Sequence, residues 1–418
     1  MAVTAWIVLL VLWAGWLVQA VLSAMQVRKF ARRFDRPARE DYAGYQPKAA
    51  VIVPFKGTEP GLAENLRGLF EQDYPEYRLV LVVESDDDPA APLLREAIAR
   101  DSHRQAELIV AGVAGPREGQ KVHNQLAALR HLRDRAAGEA VWVFADSDAV
   151  PGPGWLGELV GPLVLDKTAV TTGYRWMIPR AKPGEDRPRL AAHLASVLNS
   201  SVACFLGRDE HNHAWGGSMA LRVDTAEELD LVGRLEGTLS DDYTVSRLAK
   251  ESGRRIYFVS GCLVASPVDF DFPGLIEFAV RQHRITRVHA PGLWVGGILL
   301  HALYLLGLAS LWAGLIWGLA ARPGGWVWPV AAGVLLAGFV AGQVRAGYRR
   351  RVVRKAFGGE VVEKLRTALL LDRWAKPAWM MLHAGILVRA GLSRTICWRG
   401  VRYHMRGPDR VERLEAGG

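Results

Sequence analysis

Three long apolar runs constrain this chain more than any other feature: Val3 to Met25, Leu293 to Ala320 and Trp326 to Val344. The first has Gln19 as its one strongly polar side chain, and it is long enough to cross about 30 Å of hydrocarbon as a helix. The second and third are separated by the turn Arg322-Pro323-Gly324-Gly325 and read as a helical hairpin. The fold is therefore anchored in a membrane near both ends, and whatever chemistry it carries lies between. Arg28, Lys29, Arg32, Arg33, Arg36 and Arg39 all follow the first run. A cleavable signal peptide carries its positive charge ahead of the apolar stretch, so this run is an anchor. The positive-inside rule puts the N-terminus outside and everything after Arg28 in the cytoplasm. Arg345, Arg349, Arg350, Arg351, Arg354 and Lys355 then return the chain to the cytoplasmic side after the hairpin. A fourth run, Pro377 to Val388, is bounded by Arg373, Lys376 and Arg389 and is short for a span. It reads as interfacial or re-entrant, because crossing would put the basic tail (Arg394, Arg399, Arg402, Arg406, Arg410) on the wrong side.

The expected division is a transmembrane anchor over 1–27, a basic linker over 28–46, a catalytic unit over 47–290, the hairpin over 291–347, and a basic segment with interfacial helix and tail over 348–418. A net charge of +9 invites a nucleic-acid partner. Most of the excess flanks the membrane segments, so anionic lipid headgroups are the expected partner and nucleic acid is not. Cys204, Cys262 and Cys397 are widely spaced, form no metal-type pattern and are expected to be reduced thiols without chemistry.

Between Gln46 and Pro291 short apolar runs alternate with amphipathic ones. Strands are expected at 49–55, 77–84, 107–111 and 141–145, and helices at 61–72, 89–100 and 120–135. Such alternation predicts an α/β fold with a mostly parallel sheet, whose ligands bind at the carboxyl ends of the strands. Polar clusters fall at those ends: Lys56-Gly57-Thr58-Glu59, Glu84-Ser85-Asp86-Asp87-Asp88 and Asp146-Ser147-Asp148. The last has the form needed to hold Mg²⁺ or Mn²⁺, which take one or two protein carboxylates and complete their shells with water and a diphosphate. The plainer alternative is that Asp146 and Asp148 only start the turn before Pro151 and Gly152. No dinucleotide-type glycine fingerprint follows the first strand, which argues against a dehydrogenase.

Taken together, the segments P-F-K-G-T-E-P-G-L-A-E-N-L (54–66), Q-D-Y-P-E-Y (72–77), D-D-P-A (87–90), D-S-D (146–148), S-D-D-Y (240–243), R-Q-H-R-I (281–285) and W-R-G-V-R-Y (398–403) make the chain resemble the inverting GT-A nucleotide-sugar transferases. Within these it is similar to the family of ceramide glucosyltransferases and their bacterial lipid-glycosylating relatives. The resemblance implies a GT-A domain with transmembrane helices at both ends, an integral protein of a bacterial-type plasma membrane, a UDP-sugar donor, a lipid hydroxyl acceptor and a divalent cation, Mg²⁺ or Mn²⁺.

It also implies roles for residues. Asp148 would bind the metal directly, with Asp146 near the ribose and diphosphate. Asp88, with Asp87 beside it, would line the nucleotide pocket; alternatively Asp86 to Asp88 cap the helix starting at Pro89. Lys121 matches a basic position near the nucleotide, or is a solvated lysine. Asp242 would be the general base that takes the acceptor hydroxyl's proton, while Ser240 or Asp241 caps the helix that follows. Arg281 and Arg284 share a helix face and match an element that meets the diphosphate, although Ile285 stands where that element has tryptophan. Their alternative is a juxtamembrane basic stripe. His211 and His213 read as part of a polar loop, with Trp215, Gly216 and Gly217 lining the acceptor pocket. The competing functions are a polyprenyl-phosphate or polysaccharide-synthesising transferase and a non-catalytic membrane scaffold.

Overall fold

The computed structural model describes residues 2–35, 42, 44–58, 61–135, 138–207 and 211–414; Arg36, Arg39 and Glu59 lie outside them. After the apolar helix α1 (Ala2–Arg33) the chain alternates as β1 (Ala49–Pro54), α2 (Leu62–Phe70), β2 (Tyr77–Val83), α3 (Ala90–Arg100), β3 (Gln105–Val110), α4 (Gln120–Arg135), β4 (Val141–Ala145) and α5 (Trp155–Val160). Then come β5 (Thr168–Pro179), α6 (Leu190–Ala203), β6 (Ser218–Arg222), α7 (Val223–Glu228), α8 (Leu231–Leu235), α9 (Asp241–Glu251), β7 (Arg255–Val268) and α10 (Phe272–His289). Seven strands form one sheet in the order β3-β2-β1-β4-β6-β5-β7. Successive strand residues point to opposite faces, so Val51 and Val53 join a core with α2 and α5, while Ala50 and Ile52 join another with α4 and α9. Burial on both faces explains why β1 is apolar throughout.

β1 is parallel to β2 and β4, whereas β6 runs antiparallel to β4, with Ala145 opposite Ser218. This reversal positions the site. Residues just after β4 (Asp146 to Asp148) and just before β6 (Trp215 to Gly217) are brought to the same edge of the sheet.

The hairpin is α11 (Pro291–Ala321) and α12 (Val327–Lys364); with α1 these are three helices long and apolar enough to cross a membrane. Trp16 of α1 packs on Gly307 and Gly338, and Trp13 packs on Gly314; a methyl group at Gly338 would lie 2.2 Å from the Trp16 ring. Small residues allow such close approach where lipid leaves no hydrophobic drive between helices. α12 continues well beyond Val344, and its Arg345 and Arg349 are buried against Asp372 of α13 (Arg366–Trp374). Nothing in the sequence signalled this pairing, which arises because α13 folds back along α12 and presents a carboxylate to both arginines.

α14 (Lys376–Gly391) has 16 residues and turns Lys376, Trp379, Met380, His383 and Leu387 inward along one face. The segment expected to be a tail forms a small antiparallel sheet, β8 (Thr395–Trp398), β9 (Val401–Gly407) and β10 (Arg410–Leu414). Alternating apolar residues account for it: Ile396, Tyr403, Met405 and Val411 make a core that includes Ile285 and Leu239. The Gln120 N–H donates to the Tyr403 hydroxyl at 3.3 Å, which docks this sheet on the start of α4.

Candidate active site

The Asp146-Ser147-Asp148 turn is held from outside by Asn65 of α2, whose side-chain amide donates to the Ser147 carbonyl at 2.6 Å. The two carboxylates diverge in their partners. Asp146 Oδ1 lies 2.8 Å from Lys121 Nζ. Asp148 Oδ2 faces the Arg175 guanidinium at 3.6 Å, while its Oδ1 is buried and has no hydrogen-bond partner. Although 45% of the Asp148 side chain is exposed, that exposure is to the interior of a deep cavity. Burial raises the Asp148 carboxyl above its usual range, with Arg175 pulling it down and Asp146 pushing it up.

Lys121, in the first turn of α4, is the hub. Besides Asp146 it contacts the buried Asp241, with Nζ 3.2 Å from Oδ2, and Gln125 one turn along α4 donates to the same carboxylate at 2.7 Å. Burial works against the Lys121 charge, yet Asp146, Asp241 and Asp242 outweigh it and hold the ammonium above its ordinary value. Asp242 stands in the first turn of α9, where Ser240 is the N-cap. Its Oδ1 accepts from the Ser240 hydroxyl and from the Tyr243 N–H at 2.7 Å, which leaves Oδ2 able to take a proton. Burial, reinforced by the Asp241 charge and opposed by Lys121, pushes the Asp242 carboxyl up to about 6.

Asp146, Asp148, Asp242 and Lys121 line one cavity of about 1710 Å³, together with Trp215, Arg175 and Arg281. The cavity runs on past Phe278 and Thr286 to Val18 and Leu22 of α1 and Leu299 and Leu303 of α11. It exceeds the roughly 300–1,000 Å³ of a small-ligand pocket, so its volume leaves room for more than one small ligand.

Other expected site residues stand elsewhere. Asp87 is exposed and does not line the cavity. Asp88 is buried and accepts from the N–H groups of Gly57 at 3.0 Å and Ala90 at 2.9 Å, so it ties the loop after β1 to the start of α3 as the capping alternative requires. Arg284 donates to the Thr395 carbonyl at 2.6 Å and is turned toward β8, not into the cavity. The shared face of α10 is divided because the small sheet covers part of it. Arg281 reaches the cavity while also donating to the Cys397 carbonyl at 3.4 Å. Gly216 and Gly217 do not line the cavity but permit close packing: a Cβ on Gly216 would lie 2.4 Å from Asp241 Oδ2, and one on Gly217 would lie 2.2 Å from the Trp215 ring. His213 Nε2 lies 2.9 Å from Lys250 Nζ, within the polar loop expected there.

As a donor set for a hard cation, the unpartnered Oδ1 of Asp148 and the adjacent carboxylate of Asp146 suit Mg²⁺ or Mn²⁺. Among the described residues no group of three or more His, Cys, Asp or Glu forms a closed cage. An ion here would draw its other ligands from water and a diphosphate.

Residues 11–411 match the sequence model of the family described as glycosyl transferase family 21. The chain belongs to this family. It is 28% identical over 144 residues to a ceramide glucosyltransferase of Gibberella zeae, covering 32% of this chain and 26% of that enzyme. To a ceramide glucosyltransferase of Pyricularia oryzae it is 27% identical over 127 residues, covering 28% of this chain and 26% of the relative. The chain thus spans about a quarter of the length of these curated relatives. Among solved structures, a mannosyltransferase from Pyrobaculum calidifontis in complex with GDP-Man and Mn²⁺ is similar at 18% identity, covering 91% of this chain and 98% of that one, with a TM-score of 0.45.

Two residues of this family 21 glycosyltransferase escaped the sequence reading of its site. Asp241 was an N-cap candidate and proves to be the buried partner of Lys121. Arg175 lies within β5, far in sequence from any motif, and its guanidinium packs over the Trp215 and Phe278 rings at 5.6 and 5.2 Å. The S-D-D-Y segment carried a signal for Asp241; nothing local marked Arg175.

Proposed function

We propose that this family 21 glycosyltransferase is an integral membrane, inverting hexosyltransferase that moves a sugar from a UDP-sugar to the hydroxyl of a ceramide-like or other membrane lipid at the cytoplasmic leaflet. The observation that carries this reading is the continuity of one cavity from Asp146, Asp148 and Asp242 to the apolar side chains of α1 and α11. A lipid acceptor can then present its headgroup to the carboxylates while its tails stay in hydrocarbon. The names of the curated relatives, which are ceramide glucosyltransferases, favour the same acceptor class.

In this reading Asp242 is the general base. Its Oδ1 is fixed by Ser240 and Tyr243, so Oδ2 accepts the proton of the attacking hydroxyl, and a pKa near 6 keeps it ionised yet basic at neutral pH. Asp148 and Asp146 would hold the divalent cation, which when bound neutralises charge growing on the departing diphosphate. Arg175, which faces Asp148, and Arg281 add positive charge to the cavity lining. Lys121 keeps Asp146 and Asp241 in place by ion pairing. Arg284 holds α10 against β8, and Asp88 braces the loop after β1, near the nucleotide end, without itself facing the cavity. Trp215 walls the acceptor side.

Purified protein in lipid nanodiscs, supplied with a panel of labelled UDP-sugars and Mn²⁺ or Mg²⁺, tests this. The expected product is a glycolipid identified by mass spectrometry. Sugar transfer to water alone, or turnover indifferent to the lipid supplied, would overturn the lipid acceptor.

A further inference from the structure

We propose that Arg345, Arg349 and Lys376 form a binding site for the headgroup phosphate of an anionic membrane lipid, a site that does not depend on the sugar-transfer reading. The first argument is charge. Asp372 Oδ1 receives Arg345 Nη2 at 2.8 Å and Arg349 Nη1 at 2.6 Å, with all three side chains at most 4% exposed. Lys376 has no carboxylate partner among the described residues; its ammonium lies over the Tyr304 ring, 4.7 Å from the centroid. Three cations therefore share one carboxylate in the interior. Buried charge without counter-charge is strongly unfavourable, and the described residues pair no further carboxylate with these cations. Consistent with that shortage, burial and the two guanidiniums hold the Lys376 ammonium down to about 7, with Asp372 only partly opposing them.

The second argument is unused hydrogen-bonding capacity. The Nε atoms of Arg345 and Arg349 and the Nε1 of Trp379 are buried without partners, as is Asp372 Oδ2. Three N–H donors thus remain where Arg345, Arg349, Lys376 and Trp379 all line the cavity described above. Arginine forks with a lysine point charge suit the oxygens of a phosphate. The third argument is depth. Arg345 directly follows the apolar run that ends at Val344, so the cluster lies level with lipid headgroups. The cavity also reaches Leu22 and Leu299, which are 57% and 64% exposed and offer an acyl chain an apolar surface. A phosphodiester lipid such as phosphatidylglycerol meets all three conditions.

The test is native mass spectrometry of the full-length protein released from nanodiscs of phosphatidylcholine with or without phosphatidylglycerol. One phosphatidylglycerol is expected to stay bound, and phosphatidylcholine is not. Lys376→Gln is expected to lower retention about tenfold, Lys376→Arg to restore it, and Arg354→Gln, on an exposed position of α12, to leave it unchanged. Equal retention of the two lipids by the unaltered protein refutes the site whatever the variants do. An equal loss in Arg354→Gln, or displacement of the lipid by millimolar inorganic phosphate, also refutes it, the latter by showing that the cluster takes free phosphate.

Discussion

Changing Asp242 to asparagine sets the proposed chemistry of this carboxylate against its effect on the fold. Its carboxyl titrates near 6 in the folded protein against an ordinary 3.8, chiefly because of burial. The folded state then holds a proton that the unfolded chain has lost, so stability declines as pH rises from about 4 to 6 and stays reduced above that window. Full ionisation against such a shift amounts to roughly 3 kcal/mol at neutral pH and about 1.5 kcal/mol at pH 5. Asp242→Asn removes the ionisation while keeping an oxygen for Ser240 and the Tyr243 N–H. The variant should therefore be more stable than the parent at pH 7.5, by up to roughly 3 kcal/mol, with a smaller advantage at pH 5. Sugar transfer should fall about 10²–10⁴-fold, as for loss of a general base, and transfer by the parent should rise with pH through about 6. Thermal unfolding at the two pH values, with glycolipid formation measured alongside, reads all of these. Transfer at the parental rate, or a stability gain identical at both pH values, would refute the reasoning.

Lys121→Met should destabilise the protein by about 3–5 kcal/mol, because it leaves Asp146 and the buried Asp241 without their cation; denaturation curves beside Lys121→Arg, which keeps the charge, check this. Gly216→Ala drives a methyl group toward Asp241 Oδ2 and Lys121 Nζ and should lose about 1–3 kcal/mol together with transfer activity. Gly152→Ala, with nothing within 4 Å, should be silent in the same assays. Chelation with EDTA should abolish transfer, and Mn²⁺ or Mg²⁺ should restore it. Asp148→Asn should raise the cation concentration needed for half-maximal rate, and a rate unaffected by EDTA would remove the cation from the proposal.

Local pattern alone determined a good deal of this protein. Apolar length identified the three candidate spans, period-two and helical patterning located β1 to β4 and α2 to α4, and the D-S-D and S-D-D-Y segments pointed to carboxylates that face one cavity. These features are legible because each depends on residues adjacent along the chain. The tertiary structure alone decided the partners. It set Lys121 between Asp146 and Asp241, brought Arg175 from mid-strand to Asp148, and turned Arg284 to a backbone carbonyl. It also folded the basic tail into a sheet and buried Arg345 and Arg349 on a carboxylate from α13. The physical reason is that a charged side chain reads alike in sequence whether it is solvated or paired. Which state it adopts depends on counter-charges delivered by distant segments once the sheet reverses at β6 and the membrane helices pack.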